Sequence, residues 1–432
     1  MKHILLVSQY FHPETFRVND MAVEWVKRGY KVTVLTGIPN YPMGKYFPGY
    51  DRKHRRRETW NDIDIIRIPL IPRGNSSNKI INTLGMAANY LSFIASGRRW
   101  VKKNNIGADL VFTVEVSPMT QALIGMWYGK RYHVPTYLYV QDLWPENVQT
   151  VTGIHNRIII GPINKMVDMI YHETDQIFTT SPSFVEAIVN RSVPVAREKV
   201  HYWPQYFEEF YIPLPFLDGK NNLKEAGLEW IYNQIPGDYF NIVFTGNIGK
   251  AQGLDILPIV AARLKEYEEL EEYQGLHTKP IHFVIVGDGR YQKKLQIEIE
   301  NKCVTDMFTF ITRQAAEIIP SILALCDAAF LSFSEDKLWE MTIPAKLQSY
   351  MACGMPIIAS AAGETKRIIN EAECGICCLI GDAKDITKAI SKICRMNLME
   401  MRWNGRLYAE KHFDKKMLMD EMNNRVKRQI GE

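Results

Sequence analysis

Two series of short runs, apolar on both faces and each followed by a longer helical pattern, constrain this chain more than any other feature. The first series reads HILLVSQY (3–10), KVTVLTG (31–37), IDIIRIP (63–69), ADLVFTV (108–114), PTYLYVQD (135–142), QIFTTS (176–181) and KVHYWP (199–204). The second reads FNIVFTG (240–246), IHFVIVGDG (281–289), FTFIT (308–312), AAFLSF (328–333) and PIIAS (356–360). Helical patterns over 79–103, 119–131, 157–173, 253–269 and 315–325 fall between them. Strands of this kind belong in parallel sheets covered by helices. The chain is therefore expected to be α/β, with two doubly wound Rossmann-like domains. The prolines and irregular pattern of 205–236 read as a linker, which places the domains at 1–204 and 237–410, with a last helix over 411–432.

At 432 residues there is room for two cores, and a net charge of +4 implies no general affinity for nucleic acid. The N-terminus MKHILLVSQYF reads as a first strand rather than a leader, and no apolar window is long enough to span a membrane. Seven cysteines, all after residue 300, suggest reduced thiols in a cytoplasmic protein; Cys374 and Cys377 form a CxxC that reads as structural. Two clusters suggest a peripheral association with an anionic membrane face. One is the basic run Arg52, Lys53, Arg55, Arg56 and Arg57; the other is the apolar segment 79–103 with Arg98, Arg99, Lys102 and Lys103 at its end.

Open α/β sheets bind ligands beyond the carboxyl ends of their strands, so chemistry is sought in those loops and in the cleft between two such domains. VFTGNIGKAQGLD (243–255) carries Gly246, Gly249 and Lys250 at an expected helix start. FVIVGDG (283–289) is a similar exit, and FITRQ places Thr312 and Arg313 past another strand. In TIPAKLQSYMACG (342–354), Pro344 opens a helix whose first amides, with Lys346, form a second anion seat. Two such seats at neighbouring strand ends fit a diphosphate. In the first half, QYFHPETFRVND supplies His12, Glu14 and Arg17, TGIPNYPMG supplies Asn40 and Tyr41, and VQDLWPENV supplies Asp142 and Trp144. Acidic and aromatic side chains on such loops suit a hydroxyl-rich ligand. The D-x-D at 62–64 precedes a strand and reads as a turn, not a metal site.

These blocks together, in order along nearly the whole chain, resemble a GT-B-fold glycosyltransferase of family 4. The similarity is narrowest to the branch that builds O-antigen, capsule and colanic-acid-type polysaccharides, including fucosamine-transferase-like enzymes. The resemblance implies a nucleotide-sugar donor, UDP-linked by preference, held by the second domain, and a retaining transfer without metal or other cofactor. It implies a polyprenyl-diphosphate-linked saccharide acceptor against the first domain, and work at the inner face of the plasma membrane. The diphosphate would lie against Gly246, Asn247, Gly249 and Lys250 and against Pro344, Ala345, Lys346 and Leu347, with the base near Thr312 and Arg313. The sequence departs from the family's two spaced glutamates: Met341 and Ser349 stand at their positions, and Gln141 stands where a histidine is common. Glu340 and Glu364 are the replacement candidates, catalytic with Lys250 and Lys346. A nucleotide-sugar epimerase using Glu14 and Asp142, and an inactive scaffold of a polysaccharide assembly complex, are the alternatives.

Overall fold

The computed structural model describes residues 1–76, 78–269 and 279–431. It divides into two compact units, one formed by 1–203 with 419–432 and the other by 204–418.

The first unit holds eight strands: β1 His3–Val7, β2 Lys31–Gly37, β3 Arg57–Trp60, β4 Ile63–Ile68, β5 Leu110–Glu115, β6 Thr136–Val140, β7 Gln176–Thr179 and β8 Val200–Tyr202. Their order is β3-β4-β2-β1-β5-β6-β7-β8, parallel except for the β3–β4 hairpin. The second unit holds β9 Phe240–Thr245, β10 Ile281–Val286, β11 Phe308–Ile311, β12 Ala328–Ser332, β13 Ile357–Ser360 and β14 Gly375–Cys378. Their order, β11-β10-β9-β12-β13-β14, is the Rossmann order, and every pairing is parallel. β1, β5, β6, β9, β10 and β12 are buried at every position, the reason they read as unbroken apolar runs.

Three local features bear on the sequence reading. The basic run enters β3, which pairs back on β4; the turn at Asn61 and Asp62 takes both residues to positive φ, and the D-x-D is this turn plus the opening of β4. CxxC spans the start of β14, with Cys374 buried and every cysteine of the chain free. The segment 205–236 is not a linker. It forms helices Phe216–Glu225 and Glu229–Gln234, and Phe207, Leu223, Ile231 and Ile235 join the core of the second unit. Prolines 213 and 215 lie ahead of the first of these helices, so they set its start instead of breaking it.

The helix Lys79–Lys103 has two faces. Asn89, Phe93 and Val101 are buried, whereas Ile81, Leu84 and Leu91 are 58, 65 and 64% exposed. The last helix, Lys415–Ile430, carries the chain from the second unit into the first; residue 432 lies outside the described residues.

Candidate active site

In the second unit the strand order reverses between β9 and β12, and a doubly wound sheet binds its ligand beside that point. After β9 the chain turns at Gly246, whose φ of 123° is open to glycine; its N–H donates to the Val286 carbonyl at 2.8 Å. The exit from β10 packs backbone to backbone against this turn. A Cβ on Gly287 would fall 1.9 Å from the Gly246 carbonyl oxygen, and one on Gly289 2.1 Å from that of Ile248. Ile248 N–H donates to Asp288 O at 2.7 Å and Tyr291 N–H to Ile248 O at 3.0 Å. The GDG motif thus supports the first glycine loop and is not a second ligand loop of the same kind.

Lys346 reaches this loop from the helix Ala345–Ala352. Pro344 is its N-cap and no side chain caps the first turn; Leu347 N–H donates to the Pro344 carbonyl at 3.0 Å, which leaves the amides of Ala345 and Lys346 for an anion. A Cβ on Gly246 would sit 3.1 Å from Lys346 Cε, which is a second reason for glycine there. The ammonium lies 3.9 Å from the centroid of the Phe244 ring and has no anionic partner among the described residues. Burial among these groups pulls its pKa down to about 7. A cation held ready without its anion, beside an uncapped helix start, is the strongest chemical feature of the unit.

The neighbouring candidates divide. Gly246, Asn247 and Lys250 are exposed beside Lys346's turn, but the α-helix expected there starts only at Leu257. Two 3₁₀ turns, Lys250–Gln252 and Leu254–Ile256, precede it because Gly253 at φ 57° breaks the helical path. Gly249 N–H is taken by Gln252 Oε1 at 3.2 Å, so that amide has a partner already. Thr312 and Arg313 are exposed, and Arg313 Nε lies 3.1 Å from Asp288 Oδ1. Leu347 is core, and Ser349 donates its hydroxyl to the Ala345 carbonyl at 3.1 Å within its own helix. Glu340 is exposed on the helix Lys337–Met341. Glu364 is buried with Arg367 Nη2 at 2.9 Å from its carboxylate, an ion pair that ties up the group offered above as catalytic.

In the first unit the order reverses between β1 and β5. Glu14 does not offer a free carboxylate. It is buried, its Oε1 accepting from the N–H groups of Asn40 at 2.8 Å and Tyr41 at 2.7 Å, and burial pushes its pKa up to about 7. It staples the β1 loop to the β2 loop, so the acid named for the epimerase alternative is engaged by two amides. Asn40 is likewise buried, its Oδ1 accepting from Arg73 N–H and Asn89 Nδ2. His12 stacks on Trp60 with ring centroids 4.4 Å apart, and burial, then Arg67, lower its pKa, so it is neutral at pH 7. Arg17 opens the helix Arg17–Lys27, while Tyr41, Tyr10 and Phe16 form an aromatic group with centroids 5.2–5.5 Å apart. Asp142 Oδ2 accepts from Ser117 N–H at 2.8 Å, and Trp144 Nε1 donates to Ser117 Oγ at 3.0 Å.

One acid here escaped the sequence reading. Glu115, the last residue of β5, is fully buried and accepts from Asp142 N–H at 3.3 Å. Burial, then the Asp142 charge, push its pKa well up, and its Oε1 has no partner among the described residues. The available signal was an acid at a strand end beside the reversal point.

Two Rossmann-like doubly wound units make up the GT-B architecture. Residues 15–204 match the family model described as "Glycosyl transferase 4-like domain" and residues 232–411 the model "Glycosyl transferases group 1". The chain is a glycosyltransferase built from these two domains. Over 439 aligned positions it is 24% identical to the putative colanic acid biosynthesis glycosyl transferase WcaI of Escherichia coli, covering 98% of this chain and 99% of that one. Among solved structures it resembles sucrose-phosphate synthase of Thermosynechococcus elongatus (TM-score 0.74, 15% identity, 99% of each chain). It also resembles Anabaena HepE in complex with UDP (TM-score 0.68, 14% identity, 99% of this chain and 100% of that).

Proposed function

We propose that this glycosyltransferase moves a sugar, with retention, from a nucleotide-diphosphate donor to a lipid-linked or growing saccharide in surface polysaccharide biosynthesis. The observation that carries the donor reading is Lys346, an ammonium without an anion beside the Gly246 turn and an uncapped helix start. A diphosphate placed there meets the free amides and the lysine, which stabilise the charge that builds on it as the glycosidic oxygen–carbon bond breaks. The acceptor oxygen bonds to the anomeric carbon on the same face, and its proton passes to the departing phosphate, so no side-chain base is required. Uridine is the preferred base because HepE, of like fold, is held with UDP, and the polysaccharide setting follows from the likeness to WcaI.

Work at a membrane face is supported by the helix Lys79–Lys103. Ile81, Leu84 and Leu91 share one exposed face with Arg98 and Lys102, an apolar stripe with a basic end suited to anionic headgroups. No helix among the described residues is long and apolar enough to cross a membrane.

The deciding experiment is Lys346→Ala. Transfer from UDP-sugars to lipid-linked acceptors is expected to fall on the order of 100-fold, with UDP binding weakened in calorimetry. Turnover within a few-fold of wild type would sink the donor assignment.

A further inference from the structure

At the opposite edge of the second sheet, at the amino ends of β9 and β12, lies a cavity of about 880 Å³. That volume falls within the range of small-molecule sites. β9 is six residues long, which puts the cavity about 20 Å from the Gly246 turn, outside the site described above. Four cations line it against one carboxylate, Asp327, among the described residues. Two of the cations are committed to backbone carbonyls: Arg402 to those of Cys326 and Asp327, Arg406 to those of Tyr211 and Ala352. The other two, Lys220 and Lys279, are exposed at the rim without an ion pair among the described residues; the Lys220 ammonium lies 4.8 Å from the Tyr232 ring centroid, and the Lys279 charge acts on the Asp327 carboxylate.

The floor and lip differ in chemistry. On the floor Asn241 is 3% exposed; its Nδ2 donates to the Pro236 carbonyl and its N–H to Asp327 Oδ2. Its Oδ1 is sealed from the cavity, so the floor offers a ligand shape rather than an open acceptor. At the lip the indole of Trp403 is 64% exposed and Phe216 lies open nearby. The site therefore asks for a ligand with a flat face for the aromatic lip and an anionic group for the lysines. A neutral alkyl chain has no charge for the lysines, and a bare anion has no face for Trp403.

We propose that this cavity binds a phosphorylated mono- or disaccharide, with the sugar ring on Trp403 and the phosphate at Lys220 and Lys279. It is a second ligand site, independent of the donor seat.

The test is calorimetry on the full chain with lactose 1-phosphate as probe, in the absence and presence of saturating UDP. Binding is expected in both, weakened at least tenfold by Trp403→Ala and by the Lys220→Ala/Lys279→Ala pair, and largely restored by Trp403→Phe. UDP affinity should be unchanged in all three variants, which also checks that they are folded. The proposal is overturned if the probe does not bind at millimolar concentration, or if the variants bind it like wild type. Equal binding of lactose or of inorganic phosphate, displacement by UDP, or selective binding of farnesyl phosphate would overturn it as well.

Discussion

Lys346 and Glu14 show how burial gives opposite charges a common effect: each is moved toward neutrality, the lysine down to about 7 and the glutamate up to about 7. For Lys346 the consequence is a pH-dependent seat. Only the ammonium attracts a diphosphate, so UDP affinity is expected to be full below pH 7 and to fall about tenfold per unit above it until another group limits it. Titrations between pH 6 and 9 in buffers of different ionisation heat should reveal proton uptake on binding, and an affinity flat across that range would remove Lys346 from the seat. For Glu14 the folded pKa lies above the unfolded one. Its contribution to stability is therefore fully present near pH 4, declines as pH rises toward 7 and is flat beyond. Glu14→Ala leaves the buried N–H of Asn40 and the partly buried N–H of Tyr41 without this acceptor and is expected to cost about 1–3 kcal/mol in urea unfolding. Glutamates at neighbouring strand ends look alike in sequence; whether a carboxylate is free depends on which amides fold back onto it.

At the scale of elements, the two glycine turns after β9 and β10 act as one unit, since each needs the other's backbone at contact distance. Gly287→Ala asks for a side chain 1.9 Å from the Gly246 carbonyl and a φ of 144° that alanine avoids. It is expected to lower the melting temperature and abolish UDP binding, although residue 287 is assigned no ligand contact; retained affinity would show that the two turns are independent. The helix Lys79–Lys103 gives a separate element-scale prediction. Ile81→Glu/Leu84→Glu alters only its exposed face, so sedimentation with anionic vesicles should drop several-fold while the melting temperature holds. The strands were legible because a sheet covered on both sides leaves unbroken apolar runs. The start of the helix at Leu257 was not, because Gly253's turn depends on its contact with the Phe333 backbone, which is far off in sequence.

At the scale of the whole molecule, the last helix completes the first unit after the chain has built the second. Met419, Met422 and Val426 are buried, Arg28 pairs with Asp420 at 2.9 Å, and Tyr30 bonds Asn423 at 2.9 Å. A chain ending at Leu418 forgoes that burial, at about 1.5–3 kcal/mol per apolar side chain. Calorimetry should then show the first unit melting earlier with the second unit's transition and UDP binding retained; unchanged melting of the first unit would contradict this role. The α/β class, the two strand series, the helix start after Pro344 and the resemblance to GT-B glycosyltransferases could all be read from the sequence alone. Each rests on local periodicity or on residues close along the chain. The tertiary structure alone decided that 205–236 is core rather than linker, that Glu364 is held by Arg367 and Glu14 by two amides, and that Glu115 stands beside Asp142. Those outcomes turn on which groups meet once the strands are side by side, and a carboxylate's chemistry is set by its neighbours in space.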